Sequence, residues 1–288
     1  MRQGRLRCAL FAVVCSAPIA VPGQGFADDT AVGPYPVALV DRPLTLPYRV
    51  VELHAPLGVS LSTGAGGEPT FLNPSISYGV SDTLTVGIRH LLGLCFSGEE
   101  GNCPEFYNDL GLTALYSLLR AGRLEIAAGA ALELAPIVDP TAVSGEVRLP
   151  IKFGGGLLAF VLSPTLNFGM NERDDGRKLY ALAFNAGTYD LIIPAETAPN
   201  RELLRIPLTF QLELARGPAF LAGASVDGEL DPVVGSFSDV YRIPVMVGLV
   251  YTPSRFLDLG AALTFPDLLG QDATADDRFL SAFATLRI

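Results

Sequence analysis

The chain has 288 residues, 49% of them hydrophobic, a mean hydropathy of +0.38 and a formal charge of −10 at neutral pH. Its 30 acidic against 20 basic residues leave no basic face for nucleic acid, so that class of partner is set aside. Beyond the N-terminus no run approaches the roughly 20 apolar residues of a spanning helix, so the hydrophobicity must be dispersed over many short segments.

The first 27 residues read as an export signal. Arg2, Arg5 and Arg7 form a basic start, Cys8 to Val21 an apolar core, and Gly25-Phe26-Ala27 a small-residue site with cleavage expected before Asp28. Pro18 interrupts the apolar core and Pro22 ends it short of a spanning length, which argues against a retained anchor. Ala12-Val13-Val14 ahead of Cys15 makes a poor lipoprotein signal. Cleavage takes the charge to −13 and leaves about 261 residues, enough for one large β domain. Residues 28–46, with Pro34, Pro36 and Pro43, read as an extended lead-in with little alternation.

From Pro47 the pattern has period two, that of a strand and not of a helix. Val51, Leu53, Leu57 and Val59 alternate with Glu52, His54, Gly58 and Ser60. After a glycine-rich loop, Ile76, Tyr78 and Val80 lead through Ser81-Asp82 to Leu84, Val86 and Ile88, the last set opposed by Thr85, Gly87 and Arg89. Cys95 and Cys103 follow, an even pair in an exported chain. A disulfide between them would close a short loop and stabilise it by about 2–3 kcal/mol. A zinc site is the alternative, with His90 the one histidine in reach and no third cysteine nearby.

Leu110, Leu112, Ala114, Tyr116 and Leu118 then face away from Asp109, Gly111, Thr113 and Ser117. Beyond the Arg120–Arg123 turn, Leu124, Ile126, Leu132 and Leu134 oppose Glu125, Gly129 and Glu133. Val147, Leu149, Ile151 and Phe153 oppose Glu146, Arg148 and Lys152, and Leu158, Phe160, Leu166 and Phe168 oppose Ser163, Thr165 and Asn167. Residues 171–201 read either as one long loop or as a loop with a strand inside it. Leu204, Ile206, Leu208 and Phe210 oppose Arg205, Thr209, Gln211 and Glu213, and residues 219–226 return from a Gly217-Pro218 turn. The run from Arg242 to Phe265 is a hairpin about Thr252-Pro253-Ser254-Arg255, with Asp258 on its polar side, and Arg278 to Ile288 is the last strand.

With 171–201 as loop, the count is about twelve strands, with short turns alternating with longer polar loops. Arg148-Leu149-Pro150-Ile151, Arg205-Ile206-Pro207-Leu208 and Arg242-Ile243-Pro244-Val245 repeat one pattern, expected to mark the starts of three strands that descend towards short turns, with each arginine facing inward. A signal, regular hairpins, turn–loop asymmetry and a C-terminal strand together resemble Gram-negative outer-membrane β-barrel proteins over residues 47–288. The resemblance implies an all-β, transmembrane antiparallel up-and-down barrel, a periplasmic lead-in over 28–46, outer-membrane lipid around the outer face and the barrel-assembly machinery as a partner. The chain departs from the pattern in ending Leu286-Arg287-Ile288 and not in an aromatic residue. It also has no tryptophan, leaving Tyr78, Tyr116 and Tyr251 as girdle candidates.

On that parity the lumen is lined by Glu52, His54, Arg89, Asp109, Glu125, Glu133, Glu146, Arg148, Lys152, Arg205, Glu213, Arg242, Asp258 and Arg287. Mixed charges on facing walls either cross-link a packed interior or line a hydrated path for small solutes. No histidine lies in a nucleophile motif, and the glycine clusters precede no helix, so neither catalysis nor a cofactor is implied. Loop carboxylates such as Glu99, Glu100, Asp276 and Asp277 lack metal-ligand spacing and read as a solvated rim. A passive channel for small solutes is the leading expectation. A barrel with a structural or surface-interaction role, and a soluble exported β-sandwich, are the alternatives.

Overall fold

A computed structural model describes residues 35–62, 66–67, 70–90, 94–97, 110–134, 143–171, 202–230, 237, 241–270 and 274–288. The alternating runs form strands because β-branched and aromatic side chains pack well on a pleated surface with neighbours on both sides. Among the described residues there are twelve: β1 (Val51–Ser60), β2 (Thr70–Leu72 and Ser75–Ser81), β3 (Leu84–Arg89 and Leu94–Ser97), β4 (Leu110–Ala121), β5 (Leu124–Leu134), β6 (Val143–Arg148 and Ile151–Gly155), β7 (Leu158–Leu162 and Thr165–Gly169), β8 (Leu203–Arg205 and Leu208–Glu213), β9 (Pro218–Ala224 and Asp227–Glu229), β10 (Val245–Ser254), β11 (Leu257–Phe265) and β12 (Phe279–Arg287). Each pairs antiparallel with its neighbour in the chain, and β12 pairs with β1 from Glu52↔Arg287 to Ser60↔Phe279, so the sheet closes without an edge. Strands about 4.8 Å apart and tilted by about 40° make such a cylinder roughly 24 Å across between backbone walls.

The alternation decides which side faces out. In β12 the even positions are exposed while Phe279, Ser281, Phe283, Thr285 and Arg287 are buried, and β1 and β10 alternate in the same way. The exposed set is apolar: Leu57, Ile88, Leu112, Val147, Phe153, Leu208, Leu249 and Leu280 are among its members. A soluble sandwich would bury this face and expose the charged one; here the reverse holds, which overturns that alternative. Tyr78, Tyr116 and Tyr251 are all exposed on the outer face, together with Tyr48, Phe153 and Phe256, and each lies within a few residues of a short turn or of the entry to β1.

Five tight connections, at Asp82-Thr83, Gly122-Arg123, Gly156-Leu157, residues 215–217 and Arg255-Phe256, sit at one end of the barrel with the strand termini Val51 and Ile288. Gly122 and Gly156 have φ of +60° and +75°, the left-handed geometry that a two-residue hairpin demands. The last of these turns falls later than the sequence suggested. β10 continues through Pro253 to Ser254 because a register shift between Tyr251 and Ser254 absorbs the proline, which has no ladder donor to give.

The Arg-x-Pro repeat is corrected in the same way. Pro150 and Pro207 do not open strands; they interrupt β6 and β8 part-way, and Ser163-Pro164 and Ser225-Val226 interrupt β7 and β9 beside them. Only Pro244 stands at a strand start. The proline carbonyls still accept, from Ala127 N–H to Pro150, Ser163 N–H to Pro207 and Ser225 N–H to Pro244. Five adjacent strands thus share one seam, at which all but β9 carry a proline with no donor, while the inward parity of Arg148 and Pro150, and of Arg205 and Pro207, runs through it unbroken.

The lead-in is the other correction. Residues 35–46 do not stay outside the barrel but lie within its turn-side end, with Leu39, Val40, Arg42, Leu44 and Leu46 at most 1% exposed. A 3-10 turn, Leu39–Asp41, seats Leu39 against Ala219, Leu221, Met246 and Val250, while Leu44 packs on Leu115, Ala127 and Val161. The segment leaves at Pro47, whose carbonyl lies where a side chain on Gly79 would project. Gly79→Ala should therefore cost about 1–3 kcal/mol, as overpacking does, read as a lower urea midpoint of the detergent-folded protein. An unchanged midpoint would show that this corner can yield.

Candidate functional site

Among the described residues, the interior holds a turn-side and a loop-side charged cluster. The turn-side cluster centres on Asp258, fully buried on β11. Its Oδ2 accepts from Arg42 Nη1 at 2.6 Å and from Arg287 Nη2 at 2.6 Å, and its Oδ1 accepts from Arg42 Nη2 and Thr252 Oγ1, each at 2.8 Å. Arg287 Nε also donates to Glu52 Oε2 at 2.7 Å. Tyr35 presents its ring to both guanidiniums, its centroid 5.5 Å from Arg42 and 4.9 Å from Arg287, where the cations meet its π-face. Burial pushes the Tyr35 phenol up to about 12, so it stays neutral against them.

The rest of residues 35–46 is tied to the wall by backbone groups. Glu213 Oε2 accepts from Leu39 N–H at 3.1 Å, and Glu125 Oε2 from Leu44 N–H at 3.0 Å. Leu46 N–H donates to Thr85 Oγ1 at 2.7 Å. Lys152 Nζ donates to the carbonyls of Arg42 at 2.6 Å and Leu39 at 3.3 Å, and Gly156 N–H to Asp41 Oδ1 at 2.9 Å. An extended segment has backbone groups that must be satisfied once water is displaced, and this wall meets five of them with two carboxylates, an ammonium and a hydroxyl. Contacts run from β3 round to β11, so the segment crosses the mouth from wall to wall.

The loop-side cluster is formed by Arg89, Glu133, Glu146 and Arg148. Arg89 Nη2 bonds Glu133 and, at 2.8 Å, Glu146 Oε2; Arg148 Nε stands 4.0 Å from Glu146 Oε1. Ser144 and Asn167 donate to the same two carboxylates at 3.3 and 3.4 Å. Asp227, beside it on β9, accepts from Ser225 Oγ and exchanges backbone bonds with Arg242.

No protein-family model matches this sequence, and no curated protein matches it. Solved structures do. A NanC porin superposes with a TM-score of 0.56 at 8% identity, over 82% of this chain and all of that one. The COG4313 outer membrane channel from Pseudomonas putida F1 gives 0.54 at 12% identity, over 90% of this chain and 99% of its own. A KdgM porin gives 0.50 at 9% identity, over 82% and 98%. The fold is that of an outer-membrane β-barrel.

Within this barrel, the residues expected to line one lumen fall into different settings. Glu52 and Asp258 are buried in the turn-side ion network; Glu125, Lys152 and Glu213 hold the lead-in. His54 is 5% exposed, with Nδ1 2.7 Å from Thr285 Oγ1 and its ring 5.5 Å from that of Phe283. Arg89, Glu133 and Arg148 meet on the loop side, and Arg205 and Arg242 flank Asp227 there. Asp109 and Cys103 lie outside the described residues, as do residues 1–34, with the expected signal, and the carboxylates Glu99 and Glu100.

Sequence reasoning missed Arg42, Tyr35 and Thr252, and it missed that part of the barrel's inner wall is apolar. Phe71, Leu115, Met246, Val250, Phe279 and Phe283 are buried inside it. The last strand held the signal: placing Arg287 inward puts Phe283 and Phe279 inward too, because they share its parity.

Proposed function

We propose that this protein is a passive outer-membrane channel for small solutes, in which residues 35–46 restrict the turn-side mouth. The observation that carries the reading is the inversion of sides: apolar residues on the outer face are exposed, whereas charged and hydroxyl side chains are buried inside, beside a smaller set of apolar ones. That inversion suits hydrocarbon outside and a hydrated path within. The porins and channels with which the chain shares its fold support the same reading. The interior clusters would supply polar groups for a solute in place of lost hydration. Export by a cleaved signal and a disulfide between Cys95 and Cys103 belong to this reading.

A second reading is favoured by the lead-in itself. Its ties to both walls suit a closed barrel whose role is structural or lies in its loops. Planar-bilayer recording separates the two. The channel reading expects discrete current steps from the purified protein, larger once the lead-in is loosened by Asp258→Ala. An absence of steps in both proteins would leave the closed barrel standing.

A further inference from the structure

The Arg-x-Pro repeat becomes informative once the register is known. Arg148 pairs with Thr165, Thr165 with Arg205, Arg205 with Asp227 and Asp227 with Arg242, so the repeat's three arginines lie in one lateral row across β6–β10. They stand on alternate strands, about 10 Å apart. All three share the inward parity: Leu149 and Ile206, next to the first two, are exposed at 41% and 39%, and Arg242 is bridged to the buried Asp227.

Arg205, in the middle, differs from its neighbours. It feels the carboxylates of Glu146 and Asp227, but among the described residues its guanidinium makes no hydrogen bond or ion pair within 4 Å, and its Nε is buried without a partner. Along the same face of β8, Thr209 and Gln211 are 1% and 0% exposed, and the Thr209 hydroxyl and both ends of the Gln211 amide also lack partners. Oδ1 of Asn167, on β7, is a fourth such atom. Unmet polar atoms in a buried setting cost stability, typically about 1–3 kcal/mol each. They are strung along the wall on both sides of a guanidinium with its fork unused, Asn167 towards the loops and Thr209 and Gln211 towards the turns, and mark a stretch where a polar ligand would be favourable.

The wall across from it carries an apolar patch among polar groups such as Asn73 and Ser60. Half-way round the twelve strands from β8 is β2, where Phe71 is 2% exposed and lies 6.2 Å, centroid to centroid, from Phe279 of β12.

We propose that the arginine row is a binding station for small organic carboxylates with an apolar body, Arg205 taking the carboxylate and the wall of Phe71 and Phe279 facing the apolar part. The assignment deepens the channel reading by naming its solute class. Binding itself is measurable without a membrane.

The experiment is calorimetric titration of the detergent-folded protein with benzoate and with neutral benzamide, against blank micelles. Folding of each variant is checked by heat-modifiable gel migration. Wild type should bind benzoate saturably and benzamide not at all. Arg205→Gln should weaken benzoate about tenfold, the scale of one lost charge-assisted hydrogen-bonded contact. Arg255→Gln, the same charge change on an exposed turn, should leave it unaltered. If Arg205→Gln fails to fold, Arg205→Lys takes its place and should weaken binding severalfold, because an ammonium lacks the planar fork. Unsaturable benzoate binding in wild type, or equal effects of the Arg205 and Arg255 variants, would overturn the station. Saturable binding lost at Arg205 in a protein that carries no current would leave the station standing and remove the channel. Current without benzoate binding would do the opposite.

Discussion

Replacing Asp258 by alanine should both weaken the barrel and loosen the segment in its mouth. The carboxylate is fully buried and serves two guanidiniums that are themselves 0% and 3% exposed in their side chains. Removing one partner of a buried ion pair costs about 3–5 kcal/mol, because the remaining charge has lost its solvent and gained nothing. Arg287 keeps Glu52, but Arg42 is left with Thr252 and the carbonyls of Pro36 and Val37. The damage should therefore concentrate on the segment that Arg42 anchors. Two readouts separate the effects: the urea midpoint should fall, and single-channel conductance should rise. A variant equal to wild type in both would mean that Lys152, Glu125, Glu213 and Thr85 hold the segment without help.

The second large effect is expected on the opposite face of the wall. Leu249, in the middle of β10, is 57% exposed, while Val250 next to it is 2% exposed. Leu249→Arg should cost about 2–4 kcal/mol in a lipid bilayer, the price of an arginine near the membrane midplane. At a position so exposed on a water-soluble protein, the same change should be worth no more than about 0.5 kcal/mol. Equilibrium unfolding from lipid vesicles reads the difference directly. A near-zero cost would contradict lipid contact at Leu249.

Much of this was legible in residue order. Period-two alternation needs no tertiary information, because successive side chains of a strand point to opposite sides whatever the strand pairs with. The inward placement of Glu52, Lys152, Glu213 and Asp258 follows from that parity alone. The Tyr78, Tyr116 and Tyr251 positions could be read outward for the same reason. The prolines were misread because a strand can pass through one where a bulge or a lost donor is tolerated, and sequence does not say whether a neighbouring strand shares the interruption. The seam across β6–β10 exists only when five strands lie side by side.

Local order could not say what fills the interior. Tyr35 to Leu46 has neither alternation nor helical period, so nothing in it distinguishes a free arm from one buried in a cavity. That outcome depends on Asp258, Glu213, Lys152 and Glu125, which lie about 80 to 220 residues further along the chain and converge only on closure of the sheet. The amino-acid sequence by itself determined strand content, the side each residue faces and the apolar outer belt, since these rest on covalent geometry and near neighbours. Tertiary structure alone decided that Arg42 meets Asp258 and Arg287, and that three distant arginines form one row. Those are facts of register and closure, and pairing across a closed sheet is set by all twelve strands together.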